Sequence, residues 1–176
     1  LTRYHPALVA LHWITGLMVI GLLIAGIAVL ESMPNSNPEK VQLLAYHMAG
    51  GMIVLVLMLA RIVLRRRTRA PLPADTGNPL LNQAGRLAHI ALYVLVIGMS
   101  LSGLAFSRMA GLPDIVFGGS GAPLPENFDA YWPRAIHGLF ALLLQVLILL
   151  HILAALWHQF IRKDGLMSRM TFGKRT

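Results

Sequence analysis

Four stretches of this chain, residues 6–30, 42–64, 87–106 and 134–161, are each apolar for twenty residues or more. Nothing else constrains its fold as strongly. At about 1.5 Å per residue, each run is long enough to cross the ~30 Å hydrocarbon core of a bilayer as a helix. Helix is forced, because hydrocarbon offers the backbone no other hydrogen-bond partners. Only 12% of the 176 residues are charged, about half the share in a soluble domain. The links 31–41, 65–86 and 107–133 are polar, basic or rich in proline and glycine, and leave no room for a separate soluble domain. The expectation is a single integral-membrane domain over 1–176, all-α, folded as a transmembrane four-helix bundle.

The first run is too long for a signal-peptide core and lacks a small-residue cleavage site, so it is read as a retained helix. Because the chain begins at Leu1, an initiator segment is expected before it. Charge sets the orientation. One side carries Arg3, Arg61, Arg65, Arg66, Arg67, Arg69, Arg86, Arg162, Lys163, Arg169, Lys174 and Arg175 against Asp75 and Asp164. The other carries Lys40, Arg108 and Arg134 against Glu31, Glu39, Asp114, Glu126 and Asp129. Basic residues collect on the cytoplasmic side, which puts both termini there, in a bacterial inner membrane. The net charge of +8 is therefore topological and lipid-facing; basic residues that flank spans do not make a nucleic-acid surface. Trp13, Trp132 and Trp157 fall near predicted span ends, as interface anchors do.

Seven histidines are distributed through this apolar background. A histidine inside a span is costly and marks a functional candidate. His137, His151 and His158 are spaced by fourteen and then seven residues, which places them within ~40–60° of one another on a helix face. His47, in the second span, matches His137 in depth near the outer side. His12, about 8 Å inside the inner end of the first span, best matches His151, about 15 Å inside the inner end of the fourth. Two pairs at two depths are placed to hold two haems. His89 and His158 lie nearer the inner surface, and either is an alternative ligand to His12 or His151. A lone histidine bonding across the bundle is the plain alternative for any one of them, and His5 is interfacial. With no cysteine in the chain, thiolate-bound iron–sulfur clusters and covalent c-type attachment are excluded.

Gly50 and Gly51 follow His47 by three and four residues, Gly16 follows His12 by four, and Gly138 follows His137 directly. Small residues in membrane helices commonly mean close packing, but their coincidence with three histidines favours room for a porphyrin. Arg61, fourteen residues beyond His47, sits near the inner level and is a candidate partner for a haem propionate; it is equally the first member of the basic cluster. Arg134, one turn before His137, is the matching outer candidate.

His12-Trp13, His47 with its glycines and the exit Arg61 to Arg67, Ala88-His89 with Tyr93, and His137, His151 and His158 together resemble the bacterial cytochrome b561 family over nearly the whole chain. The resemblance implies a four-helix inner-membrane bundle with two haem b groups. Carried onto this sequence, it makes His12 and His151 one ligand pair and His47 and His137 the other. It further implies superoxide oxidation: superoxide outside reduces the outer haem, and the electron passes to the inner haem and on to ubiquinone. It places His89 and His158 close to the quinone region. His158, some 10 Å nearer the cytoplasm than His151, is suited to donate a hydrogen bond or proton to a quinone carbonyl. The outer loops, three cations against five carboxylates, depart from the basic funnel that would collect the anion; a local patch of Arg108, Arg134 and Lys40 remains open.

Two redox readings compete. One is a standalone quinone-reducing superoxide oxidase. The other is a b-type subunit relaying electrons between quinone and a peripheral dehydrogenase or hydrogenase partner, with the long link 107–133 as docking surface or as a lid. A non-redox transporter or scaffold is a distant third.

Overall fold

The computed structural model describes residues 2–175. Its helices are α1 (Pro6–Leu30), α2 (Glu39–Arg67), α3 (Pro79–Met109), the short α4 (Leu112–Val116) and α5 (Trp132–Arg162). No strand occurs among the described residues. The four long helices are the four apolar runs, but α2, α3 and α5 outrun them. The largest extension is in α3, which begins at Pro79 rather than near residue 87. The Asn78 side chain accepts from the amides of Leu80 and Leu81, at 2.9 and 3.4 Å, and Pro79 occupies the first helical position. That cap starts the helix roughly two turns before its apolar run begins. The last turn of α2 carries Arg65, Arg66 and Arg67, where cations suit the helix dipole.

α1 packs on α2, α2 on α3, and α3 most extensively on α5. Among the described residues α5 has no comparably close backbone packing with α1 or α2, and it meets them through side chains such as Leu144. Val19, Leu23, Val54, Met58, Val96 and Leu144 form the mid-bundle core. A second cluster, with Leu30, Leu44, Phe106, Leu112 and Leu124, closes one end of the bundle. Large apolar side chains face outward from every span, among them Leu17, Val56, Val94 and Leu142. An exposed apolar surface of this extent belongs in lipid. The protein is a multi-pass membrane protein.

Both described ends of the chain lie with the α2–α3 link at one end of the bundle. Tyr4 donates its amide to Arg169 O at 3.1 Å, and Arg169 reaches Leu72 O at 2.6 Å. Arg175 reaches Arg69 O at 2.9 Å, and Trp13 Nε1 donates to Met170 O at 2.8 Å. The segment after α5 is thus a strap laid over this end. At the other end, Asn35 donates to Pro125 O at 2.6 Å, and buried Leu112 and Leu124 hold the long link against the bundle.

Candidate functional site

Imidazoles meet where α5 faces the first two helices. His47 of α2 and His137 of α5 have ring centres 6.2 Å apart, with planes at 74°. His12 of α1 and His151 of α5 are also 6.2 Å apart, at 70°. One metal ion held between two rings on opposite sides of it, about 2.0–2.1 Å from a nitrogen of each, sets ring centres a little over about 6 Å apart. Both pairs have that spacing. His89 of α3 comes within 5.4 Å of His151, short of the spacing for two rings on opposite sides of one ion, and its helix packs directly on α5. His158 points elsewhere, onto Asp164.

The surroundings fit a flat cofactor. Among the described residues no cluster of three or more histidine or carboxylate groups could cage a bare ion. A metal at either pair must bring its remaining ligands with it, as a haem iron does. His137 Nδ1 lies 3.1 Å from Met99 O and 3.2 Å from Ser102 Oγ. Donation from Nδ1–H to the carbonyl leaves Nε2 free to ligate and fixes the ring. His47 Nδ1 is buried without a partner, beside an apolar cavity of about 260 Å³ lined by Leu22, Ala25, Val29 and Leu43 among others. Gly16 and Gly51 have open space where a side chain would begin.

Two glycines that the sequence reading does not single out crowd the outer pair. A Cβ on Gly103 would lie 2.9 Å from His137 Cε1, and one on Gly26 would lie 3.4 Å from His47 Cε1. Gly50, in contrast, serves helix packing: its Cβ would meet Leu22 at 2.8 Å.

The two candidate arginines differ. Arg61 is half-buried, with Nη2 3.4 Å from His12 Nδ1 and its guanidinium 5.3 Å from the centre of the Tyr93 ring. Its Nε has no partner, and no carboxylate pairs with it among the described residues. A half-buried guanidinium with a buried, unpartnered Nε and no carboxylate is suited to a carboxylate brought in by a ligand. Arg134 already has one: Glu31, at 2.6 Å. The Arg108–Arg134–Lys40 patch does not form as an open cluster. Arg108 is exposed, but Arg134 is paired and Lys40 is buried, donating to Met33 O at 2.5 Å and lying over Phe128.

At the end of the bundle that holds both described chain ends, His158 Nδ1 lies 2.6 Å from Asp164 Oδ2. Lys163, at φ 53°, turns the chain back so that Asp164 reaches the last turn of α5. Arg162 Nε approaches the same oxygen at 3.3 Å, and Leu166 N–H donates to Asp164 Oδ1 at 3.1 Å. Burial pushes the Asp164 carboxyl up, but the His158 hydrogen bond, the Leu166 amide and the Arg162 charge outweigh it and hold it below the ordinary carboxylate range.

Comparison with known proteins identifies the family. The chain belongs to the prokaryotic cytochrome b561 family, whose profile matches residues 3–173. It is 28% identical over 176 residues to cytochrome b561 homolog 2 of Escherichia coli K12, covering 96% of this chain and 90% of that one. It is 30% identical over 178 residues to the probable superoxide oxidase CybB of Yersinia pestis, covering 98% of each. It is 27% identical to cytochrome b561 homolog 1 of Escherichia coli K12, covering 97% of each. The chain is therefore a membrane electron carrier of a haem b family.

Proposed function

We propose that this prokaryotic cytochrome b561 is a superoxide:ubiquinone oxidoreductase, with His47 and His137 holding an outer haem b and His12 and His151 an inner one. The observation that carries the reading is one geometry used twice: imidazole pairs 6.2 Å apart, both ending on α5, fourteen residues apart along it. When bound, haem b supplies a one-electron ferric–ferrous couple. In the net reaction two superoxide anions each lose one electron and leave as dioxygen. One ubiquinone takes the two electrons and two protons and becomes quinol. The relative named a probable superoxide oxidase, at 30% identity, supports the donor.

The chain's own groups have distinct tasks. Met99 O and Ser102 orient His137. Arg61 takes a carboxylate of the inner cofactor. Arg134 serves the outer one while shared with Glu31. His158, its Nδ1 held by Asp164, presents its other nitrogen to a quinone carbonyl, and His89 lines the same inner region. The unequal cation count favours a bacterial inner membrane with both termini cytoplasmic. The link between α3 and α5 is folded onto the bundle, with Leu112 and Leu124 buried. That favours a self-sufficient enzyme, acting as one domain over 1–176, over a subunit presenting this loop to a dehydrogenase.

Stopped-flow mixing of the purified protein with superoxide tests the reading. Haem reduction by superoxide alone is expected, with quinol formed when ubiquinone is added. Absence of reduction without a partner protein would overturn it. In His158→Ala both haems and their reduction by superoxide are expected to persist, while reoxidation by quinone slows. Unchanged reoxidation would move the quinone site elsewhere, and a lost haem would make His158 a ligand.

A further inference from the structure

The two histidine pairs sit in opposite electrostatic settings. Beside the inner pair lies Arg61, its Nη2 3.4 Å from His12 Nδ1 and with no carboxylate partner among the described residues. A guanidinium cannot lose its proton in a protein, so this is a fixed positive charge. The two carboxylates on that side are engaged elsewhere. Asp75 accepts from Gly77 N–H and Asn82, and Asp164 holds His158 and Arg162. The remaining cations of that side, Arg65 to Arg67 among them, add positive potential that solvent only partly screens.

The outer pair has the reverse. Its nearest cation, Arg134, is neutralised by Glu31 at 2.6 Å. Its ligand His137 donates to a carbonyl through Nδ1, which makes that imidazole a stronger electron donor to a metal. The other buried cation there, Lys40, is seven residues before His47 on α2, about 10 Å along the axis. It is turned onto Met33 O and the Phe128 ring. Local charge and hydrogen bonding to ligands both set the potential of a haem. Positive charge near the metal favours the reduced state, and a more basic ligand favours the oxidised state.

Resting on the two-haem reading above, in which both haems bring the same propionates, we propose that Arg61 at the inner pair, offset by no protein carboxylate, set against Arg134 already neutralised by Glu31 at the outer one, makes the inner haem the preferred seat of the electron. The fold itself then sets the direction of transfer. An electron entering at the Arg134–Glu31 end moves downhill to the Arg61 end, where quinone is reduced.

Anaerobic redox titration of the detergent-purified holoprotein tests this by midpoint potential rather than turnover. His137→Ala and His12→Ala, each retaining one haem, assign the two waves. In the wild type the inner haem should titrate at the higher potential. Arg61→Gln should lower the inner value by at least tenfold in electron distribution, about 59 mV for one electron, and leave the outer value in place. Arg61→Lys should restore most of the gap. Should Arg61→Gln shed its inner haem, Glu31→Gln carries the test alone: freeing Arg134 should raise the outer potential and narrow the gap. An inner haem at the lower potential in the wild type, or equal shifts of both haems in Arg61→Gln, overturns the proposal. So does a Glu31→Gln outer wave that does not move. A preparation with one haem per chain instead overturns the two-haem reading beneath it.

Discussion

Adding one methyl group at Gly103 tests how the outer pair is held. A Cβ there would lie 2.9 Å from His137 Cε1 and 3.2 Å from its Nδ1, whereas carbon atoms rest about 3.5–4.0 Å apart. The ring has to retreat by about 0.6–1.1 Å. Its Nδ1 is 3.1 Å from Met99 O and 3.2 Å from Ser102 Oγ. A retreat of that size takes both to roughly 3.6 Å or more, where a hydrogen bond no longer counts. Loss of such a ligand-orienting bond costs about 10–100-fold in metal affinity, or about 1.4–2.8 kcal/mol. The ordinary cost of overpacking, about 1–3 kcal/mol, gives the same scale independently. Gly103→Ala is therefore expected to release the outer haem on dilution about 10–100 times more readily, with the inner haem retained. Pyridine haemochrome content per chain, followed through a dilution series, measures it. Gly85→Ala is the control: nothing lies within 4 Å of a Cβ there. It should keep both haems and raise stability by up to about 1 kcal/mol through helix propensity and lost chain entropy. Equal haem retention in Gly103→Ala and the control would refute the crowding argument.

Other expectations follow from the same geometry. Removing His47 or His137 should each cost one haem equivalent, removing His12 or His151 the other, and His89→Ala should keep both because its ring stands only 5.4 Å from His151. Two haems per chain in His12→Ala would break the pairing scheme. A C-terminal reporter should be active only when cytoplasmic in type; periplasmic activity would reverse the orientation. The Asp164 carboxyl, held below its ordinary value by His158, Leu166 and Arg162 against the opposing effect of burial, should stabilise the strap fully above the unfolded carboxylate value of about 3.9. That contribution should fade only as pH falls through the depressed folded value. Amide exchange over Leu166–Met170 reports it, and strap opening already near pH 6, with Asp164→Asn no different, would contradict the assignment.

The spans were legible because hydropathy in a membrane has a single structural outcome; their ends were less so, because caps rather than apolar residues decide them. Asn78-Pro79 is a readable start signal, yet it lies in a stretch that hydropathy assigns to a link. Depth along a helix is also linear in sequence, so His47 could be matched with His137 and His12 with His151, and the structure brings each pair to 6.2 Å. What lies behind a ligand is not linear. Met99 supports His137 through a backbone carbonyl, which any residue type could provide, so no pattern marks it. Gly103 and Gly26 look like packing glycines, and Gly50 looks like a cofactor glycine; only the direction in which each missing Cβ would point separates them.

Charge pairing is the part of the site where reading by level alone goes furthest astray. Arg61, fourteen residues beyond His47, and Arg134, three residues before His137, each fall near the level of a histidine pair and invite the same role. Yet Glu31, counted among the loop carboxylates, closes on Arg134 because α1 ends beside the start of α5, whereas no acidic residue occurs in the spans near Arg61. A bilayer makes that difference matter. In water an unpaired arginine is screened within about 8–10 Å; inside the bundle its field is screened less and reaches the neighbouring histidine pair. The feature that most distinguishes the two levels is thus a carboxylate present at one and missing at the other. On the proposed two-haem reading, that difference acts on the energy of an electron rather than on the shape of the fold.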